Sequence, residues 1–244
     1  MRTVIVIPTY NEATNIQNLV KSIFKATNNA VDLLFVDDNS PDGTAEIIKG
    51  MSKENDSIRL LERPRKLGLG TAYVAGFKYA IREKYDLIFE MDADLSHNPA
   101  DVPRIISAME NYDLVIGSRY LTGVNVINWP LSRLILSLWA NWYTRKITGL
   151  PLQDCTAGFK CFRREVLENI DLDRIRSDGY SFQIELHYFA WKRNYRIKEL
   201  PIIFTDRESG SSKMSRKVMV EAAFMVWRLK FHDWFSKDVK GTAK

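Results

Sequence analysis

The first half of this 244-residue chain alternates short apolar runs with amphipathic segments of helical period, and no other feature limits the fold as strongly. Val4–Ile7, Leu33–Val36, Ile58–Leu61, Leu87–Met91 and Leu114–Ile116 have the length and residue types of buried strands. Between them, Asn15–Ala26, Thr44–Ser52, Gly70–Arg82 and Pro99–Met109 gather apolar residues on one helical face. Pro41-Asp42-Gly43-Thr44 and Asn98-Pro99 supply helix-start signals. This order predicts an α/β fold with a mainly parallel central sheet covered by helices.

Ligands of such sheets bind outside the carboxyl ends of the strands, so the strand tips matter most. The first ends in Pro8-Thr9-Tyr10-Asn11-Glu12, the second in Asp37-Asp38-Asn39-Ser40 and the fourth in Asp92-Ala93-Asp94. Side chains at i and i+2 of extended backbone share a side, so Asp92 and Asp94 can face one cation. Their hard oxygens suit Mg²⁺ or Mn²⁺ better than zinc, and such a metal commonly also holds a phosphate. Taken singly, an Asp-x-Asp is more often a solvated acidic turn, and Asp37 or Asp38 a turn former. Three carboxylate-bearing tips on one sheet edge are better explained by a nucleotide site. Arg63-Pro64-Arg65-Lys66-Leu67-Gly68-Leu69-Gly70-Thr71 either approaches phosphates through its glycines or only shapes a loop.

The 45% hydrophobic content is enough for one large domain, with no internal repeat or linker-like stretch. Cys155 and Cys161 are too few for a disulfide framework, so reduced thiols in a cytosolic setting are expected. The apolar start is too short for a signal peptide, and no window reaches the length of a membrane span. The nearest, Leu131–Tyr143, holds Arg133.

The net charge of +5 resides in residues 207–244, which carry nine Lys/Arg against four Asp/Glu. Leu114–Gln153 contains no acid but holds Arg119, Arg133, Arg145 and Lys146. Basic clusters of this kind attract phosphate groups. Trp129–Leu150 sets Leu131, Leu134, Ile135, Leu138 and Trp142 at helical spacing and crowds them with Trp139, Tyr143 and basic side chains. A core helix explains the leucines, whereas the aromatic and basic content suits a membrane interface. Arg133 and Ser137, four apart, can grip one phosphate. Further on, Asp154–Phe162 predicts a turn into a strand, Gly179–Arg193 a helix and Arg196–Phe204 another strand. Thr205–Met214 is a polar loop with Arg207 and Lys213 near its ends, either a lid hinged at Gly210 or an ordinary exposed basic loop. Lys217–Phe235 predicts an amphipathic helix with a charged tail.

The segments PTYNE, DDNSPDGT, KLGLGTA, MDADLSHNP, GSRY, WPLSRLILS, DCTAGFKCF, GYSFQIE and DRESGSSKMS, spread from Pro8 to Met214, resemble the polyprenol-phosphate (dolichol-phosphate) mannose synthases. These are inverting family-2 glycosyltransferases of the Rossmann-like glycosyltransferase-A fold. The resemblance implies transfer of mannose from GDP-mannose to the phosphate of a polyprenol or dolichol, with Mg²⁺ or Mn²⁺. It implies that Pro8, Tyr10, Glu12, Val36 and Asp38 hold the guanosine, and that Asp92, Ala93 and Asp94 hold the diphosphate side, the two aspartates toward the metal. Some members carry Gln at the position of Ser96, a third metal contact; serine is a weaker ligand, and a water can replace it. Arg119, Arg133 and Ser137 are implied for the acceptor phosphate, and Arg207 and Lys213 for closure over the donor.

On this basis residues 1–214 form the catalytic domain, including an interfacial segment at 129–150, and 215–244 an amphipathic basic helix and tail. The expected location is the cytoplasmic face of a membrane, peripherally bound, where a small membrane protein is a candidate partner. The alternatives are a UDP-sugar transferase to polyprenyl phosphate and a non-catalytic nucleotide-sugar-binding subunit. No base-reading motif accompanies the positive charge, so no nucleic-acid partner is expected.

Overall fold

The computed structural model describes residues 1–175, 177, 179–206 and 223–231. The chain begins with β1 (Thr3–Thr9), α1 (Ile16–Thr27), β2 (Asp32–Asp37), α2 (Thr44–Glu54), β3 (Ile58–Glu62), α3 (Leu69–Arg82) and β4 (Leu87–Glu90). A 3₁₀ turn, Pro99–Asp101, leads into α4 (Val102–Ala108), followed by β5 (Leu114–Ser118), β6 (Val126–Ile127) and α5 (Leu131–Thr148). Then come β7 (Lys160–Arg163), α6 (Arg164–Glu168), α7 (Gly179–Lys192), β8 (Ile197–Pro201) and β9 (Phe204–Thr205). Residues 223–231 are helical.

Seven strands pair in the order β3-β2-β1-β4-β7-β5-β8, and β6 pairs with β9 in a separate two-stranded ladder. All neighbours in the large sheet are parallel except β7, which runs antiparallel between β4 and β5. The sheet is buried on both faces, because alternate residues of β1 enter different clusters. Val4 and Val6 pack with Tyr73, Phe77 and Phe182, whereas Ile5 and Ile7 pack with Ile16, Leu19 and Ile105. Continuous apolar strands are what such two-sided burial demands.

Two expected elements come out differently. The segment expected as one helix at Pro99–Met109 starts as 3₁₀. Asn98 accepts a bond from the Ala100 N–H at 3.0 Å, and Pro99 lacks an N–H of its own. The strand expected over Arg196–Phe204 is divided: β8 ends at Pro201, Ile202 donates to the Ser118 carbonyl at 3.0 Å, and β9 leaves the large sheet to pair with β6.

Helix α3 lies close on the sheet through Gly76. A Cβ there would overlap Val6 Cγ1 and sit 3.2 Å from Val36 Cγ2. Gly76→Ala is expected to destabilise the chain by about 1–3 kcal/mol, the usual cost of overpacking, as a lower denaturant midpoint at unchanged slope.

Candidate active site

The carboxyl ends of β1, β2 and β4 open onto a cavity of about 490 Å³. Pro8, Tyr10, Glu12, Asp38, Asp92, Ala93, Asp94, Arg119 and Arg133 line it, so most of the expected residues share one space. Val36 does not line it; it is fully buried in the sheet core beside Gly76. Ser137 lines a neighbouring cavity instead. Arg207, Lys213 and most of the expected lid and tail helix lie outside the described residues.

Local bonds fix the strand tips. Asp37 accepts from Thr9 Oγ1 at 2.8 Å and from the Ser40 N–H at 2.8 Å, which ties the first two tips together. Asp38 is committed to the Arg63 guanidinium and to the Leu67 N–H at 3.0 Å, so it shapes the 63–68 loop. Lys66 stands over the Tyr10 ring, 3.7 Å from its centroid, and both residues line the cavity.

Asp92 Oδ1 accepts from the Tyr73 hydroxyl at 2.8 Å. Burial, followed by the nearby Asp92 charge, raises the Tyr73 pKa well above the usual phenol range, so the hydroxyl remains a donor. The Asp92 N–H donates to His97 Nδ1 at 3.2 Å; burial lowers the pKa of this histidine, which stacks on Phe159. Asp94 Oδ1 accepts from the Ser96 N–H at 3.1 Å and the Ser96 hydroxyl at 2.5 Å, across a turn in which Leu95 adopts φ +62°. A left-handed leucine is strained, and such strain concentrates at functional loops. Ser96 is buried and does not line the cavity; its hydroxyl orients Asp94.

Asp92 and Asp94 therefore offer oxygen donors only, the chemistry of a site for a hard divalent cation. Among the described residues no group of three His, Cys, Asp or Glu forms a metal cage. Two carboxylates suit an ion that completes its coordination with substrate phosphates and water.

Arg119 is buried and fixed by Asp154 through Nε and Nη2, both at 2.7 Å, with a further bond to Thr156 Oγ1. Despite burial, the Arg119 guanidinium and the bonds around it keep the Asp154 pKa below the usual carboxylate range. Arg133 packs under Trp129, 4.1 Å from the ring centroid, and pairs with Asp206 at 2.8 Å. Arg133, Thr156 and Tyr180 also line the second, apolar cavity of about 70 Å³, which continues along Leu136, Ser137, Trp139 and Val226. Ser137 Oγ accepts from the Tyr120 hydroxyl at 2.7 Å.

The polarity of α5 is inverted. Its buried positions are Asn141, Thr144 and Thr148, whereas Leu131, Ile135, Leu138, Trp139 and Trp142 are exposed. Phe224, Trp227 and Phe231 of the 223–231 helix add to the exposed apolar surface, while Met225, Val226 and Leu229 enter the core. Exposed apolar groups on this scale mark an interaction surface. Among the described residues no helix is long and apolar enough to cross a membrane.

A buried polar network beneath the cavity escaped sequence reasoning. Glu90 and Lys160 face each other in the β4–β7 register, fully buried, with Nζ 3.7 Å from Oε2. Gln183 accepts from Lys160 and donates to Glu90. Lys160 also meets His187 Nε2 at 2.9 Å, which makes Nε2 the acceptor and leaves Nδ1–H to donate to the Cys155 carbonyl at 3.0 Å. Burial pushes Glu90 up to about 7 and Lys160 down to about 8, and burial holds His187 neutral. The hints in the sequence were a glutamate inside the Leu87–Met91 run and a lysine between Phe159 and Cys161.

A family model for glycosyl transferase family 2 matches residues 4–171. Polyprenol monophosphomannose synthase of Mycolicibacterium smegmatis is 45% identical over 227 residues, covering 92% of this chain and 85% of that protein. Undecaprenyl-phosphate mannosyltransferase of Micrococcus luteus is 42% identical over 228 residues, covering 93% of each. Among solved structures, glucosyl-3-phosphoglycerate synthase of Mycobacterium tuberculosis, crystallised with Mn²⁺, UDP-glucose and phosphoglyceric acid, superposes with a TM-score of 0.67. It is 20% identical and covers 93% of this chain and 80% of that one, a likeness of fold. The fold is thus that of the glycosyltransferase-A enzymes, a mainly parallel sheet wrapped by helices. The chain belongs to glycosyl transferase family 2, in its polyprenyl-phosphate mannose synthase branch.

Lys160→Met would strand the buried Glu90 carboxylate and is expected to cost about 3–5 kcal/mol of unfolding free energy. The double change Glu90→Gln with Lys160→Met should recover most of that loss in the same denaturant titration.

Proposed function

We propose that the chain transfers mannose from GDP-mannose to a polyprenyl phosphate, giving polyprenyl β-D-mannosyl phosphate and GDP. The observation that carries this reading is the meeting of two cavities at Arg133: a polar one with room for a nucleotide sugar and an apolar one leading toward exposed Leu and Trp side chains. The acceptors named for the two relatives, polyprenol and undecaprenyl phosphate, support it.

The chemistry asks little proton transfer of the protein. A phosphate monoester has its second ionisation at about pH 6, so its oxygen is already a nucleophile at neutral pH. No side chain has to act as general base, in contrast to transfer onto a sugar hydroxyl. The work lies in bringing two anions together. Arg133, with the Ser137 hydroxyl one turn away, would neutralise and aim the lipid phosphate. Arg119, preset by Asp154, would add oriented N–H groups behind it. Pro8, Tyr10, Glu12 and Asp38 would border the nucleoside, with Val36 behind them, and Arg207 and Lys213 would close over the diphosphate. Asp92 and Asp94 would hold Mg²⁺ or Mn²⁺, which supplies positive charge to the departing GDP when bound. The exposed face of α5 supports peripheral docking on the membrane that holds the acceptor.

The test is incorporation of labelled mannose into polyprenyl phosphate vesicles from GDP-mannose, run beside UDP-glucose and other UDP-sugars. Mannose transfer that needs both GDP-mannose and the lipid phosphate is expected; faster transfer from a UDP-sugar would replace the donor assignment. In that assay Asp94→Asn should lower turnover by about 100-fold or more, and near-normal turnover would remove the metal assignment. Arg133→Ala should raise KM for the lipid phosphate by about tenfold while leaving KM for GDP-mannose within about twofold, the split expected of a group that contacts one substrate.

A further inference from the structure

The ion pair between Arg133 and Asp206 stands where the two cavities join. Nη1 lies 2.8 Å from Oδ1, and the side chains are only 13% and 22% exposed. Both residues line the polar cavity. The backbone holds Asp206 in place: its N–H donates to the Ile127 carbonyl at 3.1 Å, extending the β6–β9 ladder, and the Thr205 N–H donates to the Ser96 carbonyl at 3.3 Å. Arg133 is fixed from its other side by the Trp129 ring. Its Nε is buried and has no hydrogen-bond partner among the described residues, so one carboxylate leaves the guanidinium incompletely satisfied.

We infer that Asp206 is a stand-in for the acceptor phosphate: its carboxylate neutralises Arg133 until the acceptor arrives, and a phosphate monoester has to displace it to bind. This rests on the proposed role of Arg133 as an acceptor-phosphate residue. A guanidinium packed against an aromatic face loses hydration, so an uncompensated charge there is costly. Asp206 supplies one negative charge and two oxygens. A phosphate monoester brings about −1.5 to −2 and three oxygens, enough to reach Nε as well as Nη1. The exchange is therefore favourable, yet weaker than binding to an unpaired arginine. A competing contact lowers apparent affinity by the fraction of open sites, whatever the ligand. The same factor then applies to the phosphodiester product, so the latch that weakens capture also speeds discharge.

The test is calorimetric binding of geranyl phosphate, a soluble short-chain prenyl phosphate, to the full chain without nucleotide. Asp206→Asn keeps the shape, removes the charge and should tighten binding by about threefold to tenfold, the scale of a partly buried ion pair. Asp206→Glu restores the charge and should return affinity to near the wild-type value, which a merely structural role would not do. In an Arg133→Gln background, Asp206→Asn should change affinity less than twofold, since the charge it releases is gone. Binding that requires Arg133 but is unchanged or weakened by Asp206→Asn would overturn the latch and leave the acceptor assignment standing. Equal binding by wild type and Arg133→Gln would remove the acceptor assignment, and the latch with it.

Discussion

The contact between Glu90 and Lys160 underlies the rest of the site. The two residues face each other where β7 enters the sheet antiparallel beside β4, a register that puts the start of one strand against the end of the other. Asp92 follows Glu90 by two residues and Gly158 precedes Lys160 by two, so the aspartate tip and the 154–159 loop are set by that register. Lys160 then reaches Gln183 and His187 on α7, joining the helix that carries Gln183 to the cavity wall. Three elements are joined through one ammonium group, which bonds to Gln183 and His187 and pairs with Glu90 at 3.7 Å. A hydrophobic trio is often the more stable filling for such a point, but an ammonium with set acceptors specifies one register.

Above this network the site handles a surplus of negative charge. In the proposed reaction a nucleotide diphosphate and a lipid phosphate repel each other, and Asp92 and Asp94 would add to that repulsion until a cation joined them. Three arginines around the cavity each have a carboxylate partner. Arg119 has Asp154, Arg63 has Asp38 and Arg133 has Asp206, each within hydrogen-bond distance. Such pairing makes a cationic pocket compatible with a folded core while it waits for ligands. The pair at Arg133 is the least buried of the three and borders both cavities, which is why exchange with a ligand falls there.

Much of this was legible in the residue pattern. The five early strands and four helices follow from period and capping residues, and the polar tips at Pro8–Glu12, Asp37–Ser40 and Asp92–Asp94 converge because a parallel sheet ends all its strands on one edge. Within the Trp129–Leu150 segment, Leu131, Ile135, Leu138, Trp139 and Trp142 are exposed, whereas Leu150 enters the core. Pairings remote in sequence were not legible. Glu90 with Lys160, Arg119 with Asp154 and Arg133 with Asp206 join residues tens of positions apart, and hydrophobic period says nothing about which strand inserts beside which. Val36 and Ser96 show the same limit: they are neighbours of site residues along the chain, but the backbone turns one into the core and the other under Asp94.

The central claim is that a phosphate oxygen attacks the sugar directly, with no protein nucleophile and no protein base. The anomeric configuration of the mannosyl phosphate formed from α-linked GDP-mannose, measured by NMR on the isolated product, tests it most directly. Single displacement predicts the β anomer. An α-linked product would require two displacements and a covalent glycosyl-enzyme, and would contradict the account.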